Sequence, residues 1–254
     1  MDQIAGLPQT AFWAAIAITL FAGMVKGAIG FAMPLIMISL FSSFLPPEFA
    51  LAGLILPTLA TNIQQSLRNG MRPAVESGLK VRRFIIATIV FICVSAPFAD
   101  KIPPMGFLLL LGVPITIYAG LQMAGANLAL KLEHQRRAEW GLGAVAGLYG
   151  GVSGIWGPPL LIYLLSLNVP KVENVRIQGV VFLIGAMALF LAHLATGLMT
   201  GDRLLFSAAL IVPAFAGMLM GYRIQARLDQ ARFRWWTQAF LVLTGLNLIR
   251  QAIM

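Results

Sequence analysis

Charged side chains are scarce in this sequence. Lysine, arginine, aspartate and glutamate together make up 11% of the 254 residues, whereas a soluble domain carries about a quarter. Hydrophobic residues make up 59%, and the mean hydropathy is +0.86. So little charge excludes an ordinary soluble domain, and the composition predicts an all-α polytopic membrane protein.

Cysteine, histidine and carboxylates are also few. The single cysteine, Cys93, excludes an internal disulfide. The two histidines and nine carboxylates show no spacing typical of a metal site. Ser153, next to Gly154, is the most nucleophile-like serine, but no acidic residue or histidine lies near it in sequence. We therefore expect no enzyme activity and no cofactor, and a membrane enzyme or scaffold is only a rival interpretation.

Glycine and proline recur in the two halves of the chain at a constant offset of 124 residues. The first copy of this pattern contains Gly23, Gly27, Gly30, Pro34 and Pro46. The second copy contains Gly147, Gly151, Gly154, Pro158 and Pro170. The pattern predicts a first transmembrane repeat at 1–130 and a second at 131–254, together one transmembrane domain. Because glycine destabilises a helix and proline removes a backbone donor, each copy is expected to break a helix inside an apolar stretch.

Ten apolar segments are separated by charged or proline-rich breaks, five in each half. In the first half they run from Leu7 to Val25, Ala28 to Leu45, Phe49 to Leu67, Phe84 to Ala99 and Met105 to Ala126. In the second half they run from Trp140 to Gly151, Val152 to Val169, Val175 to Met199, Leu204 to Tyr222 and Phe233 to Ile253. The first two segments of each half are expected to form a broken hairpin. The start of the chain lacks the basic region of a cleavable signal peptide, so the first segment is expected to belong to the mature fold.

The distribution of cations tests the count of ten, because lysine and arginine accumulate on the cytoplasmic side. With the N-terminus outside, fifteen cations fall on the inner side and three, Lys101, Arg203 and Arg250, on the outer side. A count of eight segments would place Arg176 on the side opposite the cluster from Lys131 to Arg137. Five segments per repeat is an odd number, so the second repeat is expected to be inverted in the membrane. Whether the hairpins cross fully or are re-entrant stays open.

Two inverted halves with matching breaks imply a binding site near the middle of the membrane, where the breaks face each other. Free backbone N–H groups at the start of a half-helix favour an anion. The formal net charge of +9 has the matching sign, but much of it is the cytoplasmic bias itself. The alternative role of the glycines is close packing of helices through small residues.

The broken stretches, together with Pro57-Thr-Leu-Ala-Thr-Asn62-Ile-Gln-Gln65, resemble the sulfite exporter TauE/SafE family, also called the toluene sulfonate uptake permease family. The resemblance covers most of the chain. It implies transport of small sulfur-containing anions such as sulfite, sulfoacetate or other sulfonates, and sometimes other organic anions. Many members have a Gly-Gly-Gly run after the break, whereas the two copies here read Gly-Phe-Ala and Gly-Ile-Trp-Gly. This departure leaves the substrate within the family open.

Polar residues inside the predicted spans are candidates for the site, because an intramembrane polar group usually faces the bundle interior. Asn62 and Gln65 lie one turn apart on a helix face, where their amides can bind an oxyanion or bond between helices. Lys26 lies in the first break, where its ammonium can pair with a sulfonate or sulfite oxygen. Alternatively, it extends to the cytoplasmic edge as an anchor. Its matched position is Gly150, so such a site would be asymmetric.

Four further candidates lie in the second half. Gln178 is expected to be an inner ligand, and Arg176 either a bidentate ligand for the anion or a charge at the cytoplasmic mouth. Trp156, in the second break, is expected to supply an apolar wall or an indole donor, unless it is an interface anchor. His193 is a candidate for gating or proton coupling, although a lone histidine more often serves packing.

Together these features predict a carrier that exposes a small-anion site alternately to each side of the membrane. An anion channel, or a carrier of another small organic anion, is the alternative. The predicted partners are the anion and the lipid bilayer, without nucleic acid, and a homodimer is left open. The predicted location is the bacterial inner (cytoplasmic) membrane, with several passes and both termini on the outer side. The exact substrate, the direction of transport and the coupling ion stay open.

Overall fold

A computed structural model describes residues 3–41, 43–95, 104–126, 134–153, 157–195 and 197–253. Apart from a short antiparallel pair, β1 (Gln3–Ile4) and β2 (Leu7–Pro8), the elements in these ranges are helices. In the first half they are α1 (Gln9–Ile29), α2 (Met33–Phe41), α3 (Pro47–Leu67), α4 (Met71–Lys80), α5 (Arg82–Ser95) and α6 (Pro104–Met123). In the second half they are α7 (Gln135–Ser153), α8 (Gly157–Ser166), α9 (Lys171–Ala195), α10 (Gly201–Ala209), α11 (Ile211–Arg227) and α12 (Gln230–Ile253).

The ten predicted apolar segments each overlap a helix or a consecutive pair of helices. Helix α4 is not among them, because its sequence alternates charged and apolar residues. Its large apolar side chains, Met71, Val75 and Leu79, recur every four residues and are exposed. This spacing gives an amphipathic helix, and ten residues are too few to span a bilayer.

The segment predicted to run continuously from Leu204 to Tyr222 is interrupted. Helix α10 ends at Ala209, and α11 begins at Ile211. Pro213 is the third residue of α11, so it has no N–H to donate to the Ala209 carbonyl. The proline therefore accounts for the separation into two helices, which the hydropathy of the segment does not reveal.

By packing, the described chain divides into two compact units. Unit 1 comprises Met1–Ala74 and Val175–Asp229, and unit 2 comprises Val75–Asn174 and Gln230–Met254. Each unit combines helices from both predicted repeats. The two predicted repeats follow one another along the sequence and do not coincide with the two packing units. The division into repeats stays a prediction.

In unit 1, α1 packs along α11 at glycine positions. A Cβ atom at Gly23 would lie 2.4 Å from the Ala214 carbonyl oxygen, and one at Gly27 would lie 2.2 Å from that of Met218. Helix α1 runs unbroken through both glycines and ends at Ile29. Their expected place in the helix break is therefore corrected: these two glycines let the backbones of α1 and α11 approach, as the packing alternative holds.

Helix α10 packs against α3 beside Pro57. The Ser207 hydroxyl donates to the Ala52 carbonyl at 2.6 Å and accepts from the Leu56 N–H at 3.2 Å. These two backbone groups bond to each other in a regular helix. Pro57 follows directly and has no N–H of its own, so α3 has two successive irregular positions in its hydrogen-bond ladder.

Unit 2 uses the same small-residue packing between α5 and α7. A Cβ atom at Gly143 would lie 2.7 Å from the Phe84 carbonyl oxygen, and one at Gly147 would lie 2.5 Å from that of Thr88. The Thr88 hydroxyl donates to the Gly143 carbonyl at 3.1 Å, which ties the two helices together. Helices α6 and α12 form the second close pair of this unit.

Candidate binding site

The site begins where α1 stops. Gly30 has a φ of +94° and donates its N–H to the Lys26 carbonyl at 2.6 Å, which ends α1 in the left-handed conformation that glycine adopts without strain. Ala32 also has a positive φ, of +76°, before α2 begins at Met33. Pro34 lies in the first turn of α2, where its missing N–H has no intrahelical partner to lose. The interruption in this stretch thus lies at residues 30–32.

Lys26 is buried in unit 1, with 2% of its surface exposed. Its ammonium donates to the Thr61 hydroxyl oxygen at 2.9 Å and to Asn62 Oδ1. Both partners belong to α3, and both are neutral. The side chain therefore does not extend to the protein surface as an anchor, and its charge meets no carboxylate among these contacts.

Asn62 and Gln65 are both 1% exposed. Gln65 Nε2 donates to the Gly30 carbonyl at 2.9 Å and to the Val175 carbonyl at 2.7 Å. One amide thus links α3 to the end of α1 and to the first turns of α9. Both side chains thus form hydrogen bonds between helices, the alternative role considered for this pair. These bonds use the oxygen of the Asn62 amide and the nitrogen of the Gln65 amide.

Three buried polar atoms on α3 have no hydrogen-bond partner within the described ranges: Thr58 Oγ1, Asn62 Nδ2 and Gln65 Oε1. Their residues are spaced i, i+4 and i+7, which places them along one face of the helix. Thr61 lies beside this face and donates its hydroxyl hydrogen to the Pro57 carbonyl at 2.6 Å, so its oxygen is free to accept from Lys26. Sequence reasoning missed both threonines, although their spacing from Asn62 and Gln65 was a usable signal.

Gln178 is fully buried and lies at the same helix break. Its Nε2 lies 3.5 Å from the Ile29 carbonyl oxygen, and a Cβ atom at Gly30 would come within 2.7 Å of its Oε1. Gly179 allows α9 to approach α3, since a Cβ atom there would lie 2.7 Å from the Ser66 nitrogen. The structure therefore brings four predicted residues together around one break: Lys26, Asn62, Gln65 and Gln178.

Arg176 and His193 lie elsewhere on α9. Arg176 precedes Gln178 by two residues, a rotation of roughly 200° around the helix axis, and is half-buried. His193 follows Gln178 by fifteen residues, roughly 22 Å along the axis. It lines an open cleft with Glu48 and Arg203, whose side chains form an ion pair at 2.7 Å. Neither residue is part of the cluster around Lys26.

The second break falls mostly outside the described residues. Gly147 and Gly151 lie within α7, which runs unbroken through both, so their expected place in the helix break is corrected as for Gly23 and Gly27. Pro158 lies in α8. Gly154 and Trp156 lie outside the described ranges, so the role predicted for Trp156 stays a prediction.

The side chains around Lys26 offer an ammonium, amide groups and hydroxyls, which bind oxyanions through hydrogen bonds and charge. Within the described ranges, no group of three or more histidine, cysteine, aspartate or glutamate side chains is arranged to hold a metal ion.

Among the residues that the structure describes, two stretches of helix are long and apolar enough to cross a membrane by length and composition: Gln9–Ile29 and Gly201–Arg227. The second stretch covers α10 and α11 together. Gly157–Ser166 is apolar but shorter.

Comparison with known proteins identifies the family of this chain. The family model for the sulfite exporter TauE/SafE matches residues 15–248, nearly the whole chain. No curated protein and no solved structure matches. The resemblance seen in the sequence is thereby confirmed, and the apolar helices agree with the membrane location of such transporters. The chain belongs to the sulfite exporter TauE/SafE family of transmembrane transporters.

Proposed function

We propose that the protein is a carrier, an exporter or permease, for small sulfur-containing anions such as sulfite, sulfoacetate or another organosulfonate. Lys26, Asn62, Gln65 and Gln178 bind the anion. The observation that carries this proposal is the buried Lys26 ammonium, whose contacts on α3 are a hydroxyl and an amide oxygen. Family membership supports the sulfur-anion class.

The energetic argument concerns the charge of Lys26. Removing an ammonium from water costs several kcal/mol, and neutral hydrogen-bond partners offset only part of that cost. An ammonium has three N–H donors, of which two are used on Thr61 and Asn62. A bound anion supplies the missing countercharge and an acceptor for the third donor. The Nδ2 of Asn62, which has no hydrogen-bond partner within the described ranges, adds a second donor to the same anion.

Helix packing supports the duplicated architecture that we propose for this carrier. Helix α1 of the first repeat packs on α11 of the second. Its counterpart α7 packs on α5, the counterpart of α11 in the other repeat. We propose two inverted repeats of five segments, with broken hairpins at their starts.

The mechanism that we propose is alternating access, in which the site opens to one side of the membrane at a time. Arg176 acts near the cytoplasmic mouth, and Trp156 belongs to the second break. The location is the bacterial inner membrane with both termini outside. A homodimer stays a prediction.

Calorimetric titration of the purified protein tests the substrate class and the site. Sulfite and sulfoacetate are titrated into the wild type, with sulfate and acetate for comparison. Saturable binding of a sulfur anion is expected, and Lys26→Met should weaken it by about 2 to 5 kcal/mol, the usual cost of removing one member of a buried charge pair. Lys171→Met, at the half-exposed start of α9, is the matched control and should bind normally.

Failure of every sulfur anion to bind would reject the substrate class. Unchanged affinity in Lys26→Met would reject the site. A channel would instead show single-channel currents in planar bilayers, or flux in proteoliposomes that does not saturate with anion concentration.

A further inference from the structure

We infer that the anion bound at this site also carries a hydrogen-bond donor, an O–H or N–H group, and that Gln65 Oε1 accepts from it. The inference rests on the proposed function and narrows its substrate class. It depends on how two buried amides are oriented, one presenting an acceptor and the other a donor.

The orientation of the Gln65 amide follows from its partners. Gly30 and Val175 contribute carbonyl oxygens at 2.9 and 2.7 Å, and a carbonyl oxygen can only accept. The nitrogen must therefore face these two oxygens, and both of its hydrogens are used. The opposite atom, Oε1, is buried and has no partner within the described ranges. Because an amide oxygen can only accept, the atom that completes this site must donate.

The Asn62 amide is fixed in the opposite sense. The Lys26 ammonium can only donate, so Asn62 must direct its oxygen towards Lys26. Its Nδ2, with two hydrogens, is the buried atom left without a described partner. The polar face of α3 therefore presents donors at Asn62 and an acceptor at Gln65, with the Thr58 hydroxyl able to serve either role.

Asn62 and Gln65, three residues apart on this face, suit a small bifunctional ligand. Residues three apart on a helix have Cβ atoms roughly 5 to 6 Å apart, about the length of a molecule with a few heavy atoms. An anionic oxygen binds at Lys26 and Asn62, and a hydroxyl or amine binds at Gln65. Hydrogensulfite with its O–H, hydroxyalkanesulfonates and aminoalkanesulfonates have this chemistry. Sulfate, simple alkanesulfonates and fully ionised sulfoacetate lack the donor.

A matched pair of ligands tests the inference: 2-hydroxyethanesulfonate and ethanesulfonate, which have equal charge and differ by one hydroxyl. Both are titrated into the purified full-length protein by calorimetry. An unsatisfied buried acceptor lowers affinity, so the hydroxylated anion is expected to bind at least about tenfold more tightly. In Gln65→Met the ratio of the two affinities should fall to about 1. Gln64 is one residue away and only half-buried, so Gln64→Met should keep the wild-type ratio.

The outcomes separate this inference from the proposed function. Equal binding of the two sulfonates by the wild type overturns the inference and leaves the sulfur-anion carrier standing. Absence of binding by these sulfonates and by sulfite overturns both. A preference that survives in folded Gln65→Met overturns the role of Gln65. If that variant fails to fold, the comparison of the two ligands on the wild type still decides whether a donor is recognised.

Discussion

The guanidinium carbon of Arg68 lies 3.7 Å from the centre of the Tyr222 ring. Arg68 also donates to Gln225 Oε1 at 2.6 Å, so two residues of α11 hold the end of α3. This end lies one turn after Gln65. Helix α11 also packs on α1, the helix that carries Lys26. The contact therefore fixes the polar face of α3 relative to α11.

Removing the Tyr222 ring should lower stability, whereas removing only its hydroxyl should not. Tyr222→Leu loses the cation–π contact and part of the packing, and we expect a loss of about 1 to 2 kcal/mol. Tyr222→Phe keeps the ring and removes a buried hydroxyl that has no partner within the described ranges, so its stability should equal or exceed that of the wild type. Thermal unfolding in detergent measures both. A large loss in Tyr222→Phe would contradict this assignment.

Asn62→Asp should replace the anion with an internal carboxylate. The new side chain forms an ion pair with Lys26, so the charge that attracts the anion is neutralised within the protein. We expect anion affinity to fall by at least about tenfold and the melting temperature of the empty protein to rise by a few degrees. Calorimetry and thermal unfolding measure the two effects.

Asn62→Leu is the control for this substitution. It removes the same amide without adding charge, so it should weaken binding and leave the melting temperature unchanged or lower. Retained anion binding in Asn62→Asp would show that Lys26 does not bind the anion directly.

Gly27→Ala should destabilise unit 1. The added methyl group would lie 2.2 Å from the Met218 carbonyl oxygen and 2.9 Å from the Gly221 Cα, so backbone atoms must shift. Overpacking of this kind costs about 1 to 3 kcal/mol or more. Gly120→Ala is the matched control, because Gly120 is also inside a helix and has no atom within 4 Å of the added group. The control should be neutral or stabilising by about 0.5 to 1 kcal/mol, and equal melting temperatures for the two variants would exclude the close approach.

Ser207→Ala should weaken the contact between α10 and α3. The Ala52 carbonyl and the Leu56 N–H lose their shared side-chain partner, although they can move closer and bond to each other. We therefore expect a modest loss of about 1 kcal/mol. Ser39→Ala, on an exposed position of α2, should change stability by less than about 0.5 kcal/mol. Chemical denaturation of the two variants distinguishes them.

The helices follow from the sequence because apolar segments of sufficient length mark them almost directly. Predictions were weaker where local chemistry overrides hydropathy. Pro213 separates α10 from α11 within one apolar segment, and the amphipathic α4 is too short and too charged to register as a span. Glycine can mark a helix break, which is why Gly23 and Gly27 were assigned to one. Their role in close packing depends on a partner helix that the sequence does not identify.

The residues of the candidate site could be chosen from the sequence, whereas the contacts between them could not. Lys26, Asn62, Gln65 and Gln178 could be chosen because polar groups are rare in apolar segments. The bond between Lys26 and Thr61 joins residues 35 positions apart, and only tertiary packing brings them together. Thr58 and Thr61 were overlooked because threonine is common in packed membrane helices, where its hydroxyl bonds its own backbone.

Helix α3 takes part of its hydrogen bonding from a neighbour at Ser207, directly before a proline. Interrupted ladders of this kind bend more readily than continuous helices. The stretch after Pro57, which carries the polar face, is therefore expected to tilt about Leu56 and Pro57. Because Lys26 lies on α1 and Asn62 lies on this stretch, such a tilt would change the distance between the Lys26 ammonium and the Asn62 amide.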